Sequence, residues 1–139
     1  TAERALNSSE ASSVSELSGA IDSMANRLTR TEVNGAAGEI VEATAASLFS
    51  DAGLYKRWIS VGDERVRMTH RAASLRRPIS QAQLYRVGDV FMRFPADPRA
   101  FGGNVAGEII NCRCRSLVMP YTAVQHNSSQ LNQFLIGNL

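Results

Sequence analysis

Both cysteines of this 139-residue chain lie in one Cys-x-Cys unit, formed by Cys112 and Cys114. A polar cluster that starts at Asp63 and contains His70 precedes this unit by about forty residues. A disulfide between residues only two positions apart would be badly strained, so the pair does not indicate a disulfide framework. We therefore expect two free thiols in a protein that assembles in a reducing environment.

The bulk composition is that of one folded domain. A chain of this length can bury a single ordinary core, and a hydrophobic fraction of 44% argues against wholesale disorder. No apolar run approaches the roughly 20 residues that a membrane span needs, so we expect no membrane partner. Because the chain begins at Thr1, without a methionine or a signal-like segment, we expect it to be part of a longer polypeptide.

Charge is distributed unevenly along the chain. Residues 1–53 carry eight acidic side chains against three arginines, whereas residues 54–120 carry twelve basic side chains against five acidic ones. All but one of the fifteen basic residues are arginine, whose planar guanidinium binds carboxylate or phosphate at two points. The basic half is therefore either a surface for a polyanion or one side of internal ion pairs. In the first case the candidate DNA contacts are Arg71, Arg76 and Arg77, and the binding would be sequence-independent and salt-sensitive.

Helical periodicity is confined to the N-terminal part of the chain. It predicts a first helix over residues 13–30, with Ser13 and Glu16 as a capping box. A second helix is predicted over residues 36–52, with Gly53 as its terminating residue. The apolar stripe of the first helix is narrow, like a coiled-coil seam, and packs either on its own domain or on a neighbouring subunit. The stripe consists of Val14, Leu17, Ile21, Met24 and Leu28.

Strand patterns follow these helices. A strand is predicted over residues 54–61, with Trp58 as its largest buried residue. Asp63 is the predicted N-cap of a short helix that includes His70 and ends near Ala73.

The C-terminal half completes a small sheet. Two short strands, residues 84–87 and 90–94, are predicted on either side of a turn. The last strand is predicted over residues 108–119, and its alternation places Cys112 and Cys114 on the inward face. The fold class is therefore α+β: two N-terminal helices packed on a small, mostly antiparallel sheet, with an extended, uncharged C-terminal arm.

A metal site is one interpretation of the cysteine pair. Cys112, Cys114 and His70 could share a zinc ion, with Asp63, His126 or water as the fourth ligand. Buried cysteine also occurs as a plain small hydrophobe, and structural zinc sites favour wider cysteine spacing. We therefore expect inert packing and no cofactor, with zinc as the alternative.

Catalysis is a second interpretation of the polar cluster. Asp63, Arg67 and His70 are spaced so that one helical face could present all three, and a Cys–His pair is a conceivable nucleophile. The chain shows neither a second carboxylate cluster for metal-assisted hydrolysis nor an oxyanion-hole signature. We therefore expect structural roles for these residues, and no enzyme.

Four short pieces carry a resemblance to a known family: an Arg-Thr-Glu triplet at 30–32, Trp58, the polar cluster at 63–70, and Asn-Cys-Arg-Cys at 111–114. In this order they resemble the phage Mu F-like head-morphogenesis family, which comprises minor head proteins of tailed bacteriophages. That family usually carries a glycine shortly after the histidine, and this chain has none at 71–78. The matching residues are Arg30, Thr31, Glu32, Trp58, Asp63, Arg67, His70, Asn111, Cys112, Arg113 and Cys114.

The resemblance implies an organisation and a function. Residues 1–30 would form a helical extension, residues 31–120 the Mu F-like domain, and residues 121–139 the arm. The protein would be a minor structural protein of the head interior near the portal, acting in head assembly or in genome packaging and ejection. Its partners would be the portal protein, other head proteins and packaged DNA, first in the host cytoplasm and then in the virion.

The ordering of the motif pieces has one structural consequence. It implies that the Asp63 to His70 cluster lies beside the 111–115 segment, with side chains of one bonded to the other. The alternative function is a phage- or toxin-associated enzyme that acts on nucleic acid through Asp63, His70, Cys112 and Cys114.

Overall fold

The computed structural model describes residues 2–48 and 53–121, including side chains from residue 12 onward. The protein is α+β with antiparallel sheets, which confirms the predicted class. The elements in chain order are α1 (Ala2–Leu48), β1 (Leu54–Ile59), α2 (Met68–Ser74), β2 (Ile79–Ser80), β3 (Tyr85–Val87), β4 (Val90–Met92), β5 (Phe101–Gly102), α3 (Val105–Ile109) and β6 (Arg115–Pro120).

The two predicted N-terminal helices are one continuous helix, α1, of 47 residues. The prediction of a break between them was wrong because glycine costs a helix only about 1 kcal/mol, and no proline interrupts this segment. Ser13 and Glu16 lie inside α1 and therefore do not form a helix cap. Residues 49–52, where the second helix was predicted to end, lie outside the described residues.

The C-terminal half of α1 packs on the domain through glycine. A Cβ atom at Gly35 would lie 2.9 Å from the Ala96 carbonyl oxygen, and one at Gly38 would overlap the Phe94 ring. The backbone of α1 can approach the domain this closely only because both positions lack a side chain. Residues 12–30, in contrast, are exposed along their whole length.

The strands form two three-stranded sheets, with orders β2-β1-β6 and β3-β4-β5. In the first sheet Trp58 pairs with Ser116, and in the second the predicted hairpin of β3 and β4 is present. The strand predicted over 108–119 begins only at Arg115. Of the residues predicted as its first part, Glu108 and Ile109 belong to α3 and residues 110–114 form a loop. The N-cap of α3, Asn104, accepts a hydrogen bond from the Gly107 backbone.

Trp58 is the centre of the core, and it is buried as predicted. Its indole ring packs edge-on against His70 and against Tyr85, with ring centroids 5.2 Å apart in both pairs. The two sheets share this core, which also includes Ala73, Val87, Val90, Met92, Ala96, Cys112 and Cys114.

The two remaining predictions about the fold concern the C-terminal arm and membrane-spanning segments. Apart from Tyr121, the predicted C-terminal arm lies outside the described residues. In the described part of the chain, no helix combines the length and the apolar character that crossing a membrane requires.

Candidate functional site

His70, Cys112 and Cys114 converge in the core, and all three are buried. α2 supplies His70, and the loop between α3 and β6 supplies the two cysteines. His70 Nδ1 lies 3.4 Å from Cys114 Sγ and 3.6 Å from Cys112 Sγ. The three potential ligand atoms all lie within 4.8 Å of one another, so this cluster could hold a metal ion.

Glu108 orients the imidazole of His70. Its Oε2 lies 2.9 Å from His70 Nε2 and also accepts a hydrogen bond from Thr69 Oγ1 at 2.9 Å. A carboxylate accepts here, so Nε2 donates to Glu108, and Nδ1 is the ring nitrogen that faces the two thiols. A carboxylate behind the outer nitrogen of a histidine is also the common arrangement around metal-bound histidine.

A hydrogen bond between the two thiols shifts their pKa values in opposite directions. A hydrogen bond with Cys114 raises the pKa of the Cys112 thiol, and burial raises it further. The same bond with Cys112 lowers the pKa of the Cys114 thiol against the opposing effect of burial. His70 and the Trp58 indole lower the pKa of Cys114 as well. Thiolate character is therefore concentrated on Cys114, beside the imidazole.

The middle of α1 holds the cysteine loop in place. Asn34 Nδ2 donates to the carbonyl oxygens of Cys112 at 2.9 Å and Cys114 at 3.2 Å, and Asn34 Oδ1 accepts from Arg115. Thr31 Oγ1 accepts a 2.9 Å hydrogen bond from the Asn111 backbone. Thr31 therefore lies within the helix and bonds to the loop, although the sequence placed it between two predicted helices.

Asp63 has a different role from the one predicted. It lies in a turn before α2, and Arg67 occupies the N-cap position. Both Asp63 carboxylate oxygens accept hydrogen bonds from Arg113, at 2.6 and 2.7 Å, and these bonds hold the pKa of Asp63 below its usual range. Arg67 Nη2 donates to the Ile110 carbonyl at 2.7 Å. Asp63, Arg67 and His70 therefore do not share one helical face, and Asp63 is not the fourth ligand of the cluster.

The predicted contact between the two polar motifs is confirmed. The bond pairs Asp63–Arg113 and His70–Cys114 join the segment before and within α2 to the cysteine loop. His126, the other predicted fourth ligand, lies outside the described residues.

An arginine pocket lies beside this junction, defined by Arg30, Arg65, Arg67, Asn111 and Arg113. Its volume is about 320 Å³. A smaller cavity of about 20 Å³ shares four of these residues and reaches inward to His70 and Cys114. A cavity of this size has room for about one water molecule.

The remaining predicted residues lie at the surface. Arg71 donates to the Asp63 carbonyl at 2.9 Å and Arg76 to the Arg86 carbonyl at 2.8 Å. Both are exposed, as are Arg77 and Glu32. These arginines therefore remain accessible to a polyanion, although none of the three lines the arginine pocket.

Asn34 and Glu108 are the site residues that the sequence reasoning missed. Asn34 falls in the segment predicted to separate two helices, so no face could be assigned to it. Glu108 was placed at the start of a strand. The signal for its true position was Asn104 after two glycines, which is a favourable N-cap before a short helix.

No family model, no curated protein and no solved structure matches the chain.

Proposed function

We propose that this chain is a minor structural protein of a tailed-phage head, located in the head interior near the portal. It acts there in head assembly or in genome packaging and ejection, with the portal protein, other head proteins and packaged DNA as partners. Before incorporation into the virion it resides in the host cytoplasm.

One observation carries the proposal: the separated pieces of the Mu F-like resemblance meet in space. Thr31 bonds to the Asn111 backbone, Asp63 to Arg113, and His70 contacts the cysteine pair. Residues that match only by chance along a sequence have no reason to bond to one another across about 80 positions, as Thr31 and Asn111 do. This convergence supports reading the four pieces as one structural motif.

The geometry also favours a structural role over an enzymatic one. His70 is 2% exposed, and both of its ring nitrogens are already engaged. Both carboxylate oxygens of Asp63 are bound to Arg113. A general acid or base must reach its substrate within hydrogen-bond distance, and neither side chain is free to do so.

We also propose that the His70–Cys112–Cys114 cluster binds Zn²⁺ as a structural metal. A tetrahedral zinc bound at about 2.3 Å to sulfur and about 2.0 Å to nitrogen holds these ligand atoms about 3.5 Å apart. The observed separations of 3.4 and 3.6 Å fit this arrangement. The donor set, the orienting carboxylate of Glu108 and the small cavity for a water as fourth ligand fit as well. On this geometry we favour zinc binding over the inert packing of the cysteines that we expected from the sequence.

The phage assignment is tested on particles released by a bacterial strain that carries the gene. Purified, DNA-filled particles are expected to contain this chain at low copy number, and a density map should place it at the portal vertex. Its absence from particles, while it is abundant in the host lysate, would overturn the assignment.

Zinc binding is tested by metal analysis of the full-length chain. We expect about one zinc per chain, which His70→Ala and Cys112→Ser abolish. Glu108→Gln is the sharper variant: it should keep the stoichiometry but weaken zinc affinity about 10-fold or more, because outer carboxylates tune the ligand histidine. A metal-free chain whose unfolding midpoint does not respond to added zinc would restore inert packing.

A further inference from the structure

We propose that the arginine pocket is a binding site for a phosphate group. This inference rests on the geometry of the pocket and does not depend on the phage assignment. The proposed DNA-contacting residues Arg71, Arg76 and Arg77 are not part of it.

Three separate chain segments bring the guanidinium groups together. Arg30 comes from α1, Arg65 and Arg67 from the segment before α2, and Arg113 from the cysteine loop. Positions this distant in sequence do not cluster through local structure, so the tertiary fold creates the pocket.

The pocket carries an excess of positive charge. Asp63 binds Arg113, but within residues 12–48 and 53–121 no carboxylate lies at salt-bridge distance from Arg30, Arg65 or Arg67. Asp63 is also the carboxylate that faces Arg65, so one carboxylate stands against four guanidinium groups, which repel one another. A bound anion relieves this repulsion.

Two of the four arginines are held in place before any ligand arrives. Arg113 is fixed by two bonds to Asp63, and Arg67 by its bond to the Ile110 carbonyl. Arg30 and Arg65 are exposed, and their guanidinium groups make no hydrogen bond within the described part of the chain. The pocket thus combines a rigid wall with two arginines whose donors are available.

Phosphate is the anion that this arrangement fits. Guanidinium donors form parallel pairs of bonds with phosphate oxygens, and several such groups suit a ligand with oxygens on all sides. Asn111, which lines the same pocket, has a buried side-chain oxygen without a hydrogen-bond partner within the described residues. A protonated phosphate oxygen or a bound water would supply the missing donor. The volume of about 320 Å³ accommodates more than one phosphate group.

The test uses the full-length chain, inorganic pyrophosphate as the probe, and titration calorimetry at low ionic strength. Arg30→Gln/Arg65→Gln removes two exposed pocket arginines, and a far-ultraviolet circular dichroism spectrum checks that the variant is folded. We expect this variant to bind pyrophosphate about tenfold more weakly or worse, because each removed guanidinium would make charge-assisted hydrogen bonds to phosphate oxygens.

A matched control removes the same amount of charge elsewhere. Arg57→Gln/Arg99→Gln alters two exposed arginines that do not line the pocket, and we expect its affinity to stay within about twofold of the wild type, since exposed distant charges are screened. Equal weakening in both variants would show that only net charge matters. That result, or a wild-type chain that does not bind pyrophosphate, would overturn the proposal.

A competition arm identifies the source of the phosphate. If the pocket takes a nucleic-acid backbone, pyrophosphate will displace a labelled single-stranded oligonucleotide, and Arg30→Gln/Arg65→Gln will weaken oligonucleotide binding more than the control does. If oligonucleotide binding is unaffected while pyrophosphate still binds, the ligand is a free phosphate compound. Neither result depends on whether the chain is found in phage particles.

Discussion

The two halves of α1 present the same face to very different surroundings. In residues 12–30 the face carries the apolar stripe, whose side chains are 56–67% exposed. At the same spacings of three and four, the face continues into residues 31–48, where it packs on the domain. Its positions there are Thr31, Gly35, Gly38, Glu42 and Ala45.

Large apolar side chains would be expected where a helix packs on its domain and small ones where it is exposed, but the two halves of α1 show the reverse. The bulky residues lie where nothing in the described structure covers them, and small residues lie where the domain packs. Close backbone approach at Gly35 and Gly38 lets polar side chains such as Asn34 reach the cysteine loop. Helical periodicity therefore identifies a face of α1, whereas only tertiary contacts decide what that face packs against.

The largest difference in unfolding free energy between the halves is expected when an asparagine in each half is replaced by alanine. Asn34→Ala should lower the free energy of unfolding by about 3 kcal/mol, because it removes the bonds to the Cys112 and Cys114 carbonyls and the bond from Arg115, although Arg115 keeps its own bond to the Cys114 carbonyl. Asn26→Ala, at an exposed position of the first half, should change it by less than about 0.5 kcal/mol. Urea unfolding measures the free energy of unfolding of both variants, and equal losses would show that Asn34 does not attach α1 to the domain.

The next largest difference in stability is expected between Gly38 in the packed half of α1 and Gly19 in the exposed half. Gly38→Ala should destabilise the protein by about 1–2 kcal/mol, because overpacking against the buried Phe94 ring exceeds the gain in helix propensity. Gly19→Ala has open space around its new Cβ, so it should stabilise the helix by up to about 1 kcal/mol. Thermal unfolding of the first variant and amide hydrogen exchange around residue 19 in the second are the measurements. A stabilising Gly38→Ala would mean that α1 does not pack closely on the domain.

Acid should weaken the attachment of the second half. Arg93 binds Asp97 through two side-chain bonds and also pairs with Glu39 on α1. Burial raises the pKa of the Asp97 carboxyl, but the bonds from Arg93 outweigh it and hold that pKa below its ordinary value. The stabilisation is therefore complete above the unfolded-state pKa of about 4 and is lost as pH falls through the lower folded-state pKa.

The measurement is the unfolding free energy in urea between neutral and strongly acidic pH. Asp97→Asn should lower stability at neutral pH and reduce the steepness of the acid dependence. The part that remains would include Asp63, whose pKa is lowered by Arg113. An unchanged acid profile would show that Asp97 does not contribute.

The smallest effect is expected in the exposed stripe. Leu17→Ala/Ile21→Ala should change the unfolding free energy of the isolated chain by less than about 0.5 kcal/mol, as for other exposed positions. The measurement is repeated across a range of protein concentrations. A loss that depends on concentration would show that a second copy covers the stripe, and the contrast between the halves would disappear.

Local chemistry made part of the fold predictable. The hairpin around Gly88 and Asp89 and the burial of Trp58 followed from turn residues and strand patterns, whereas the two cysteines are buried from a loop and not from the predicted strand. The motif order also predicted the contact between Asp63 to His70 and the cysteine loop. One error arose where tertiary packing outweighed a local signal, at the glycines of α1, and another where the local N-cap signal of Asn104 before α3 was missed.

Buried polar groups show most clearly where sequence reasoning ends. Lys56 is 1% exposed, although lysine is rarely buried. Its Nζ donates to the Arg93 carbonyl at 2.7 Å and to Glu42 at 3.4 Å, and burial lowers its pKa. The residues around position 56 do not predict these partners, because the partners come from α1 and from the segment after β4.

The class of fold, the burial of Trp58 and the contact between the two polar motifs could be predicted from the sequence alone, since they follow from strand patterns, turn chemistry and motif order. Only the tertiary structure decided that His70 Nδ1 faces both sulfur atoms, that Glu108 orients the ring, and that four arginines enclose one pocket. Such features depend on distances between side chains far apart in the chain. Those distances are set by packing, which one-dimensional periodicity does not encode.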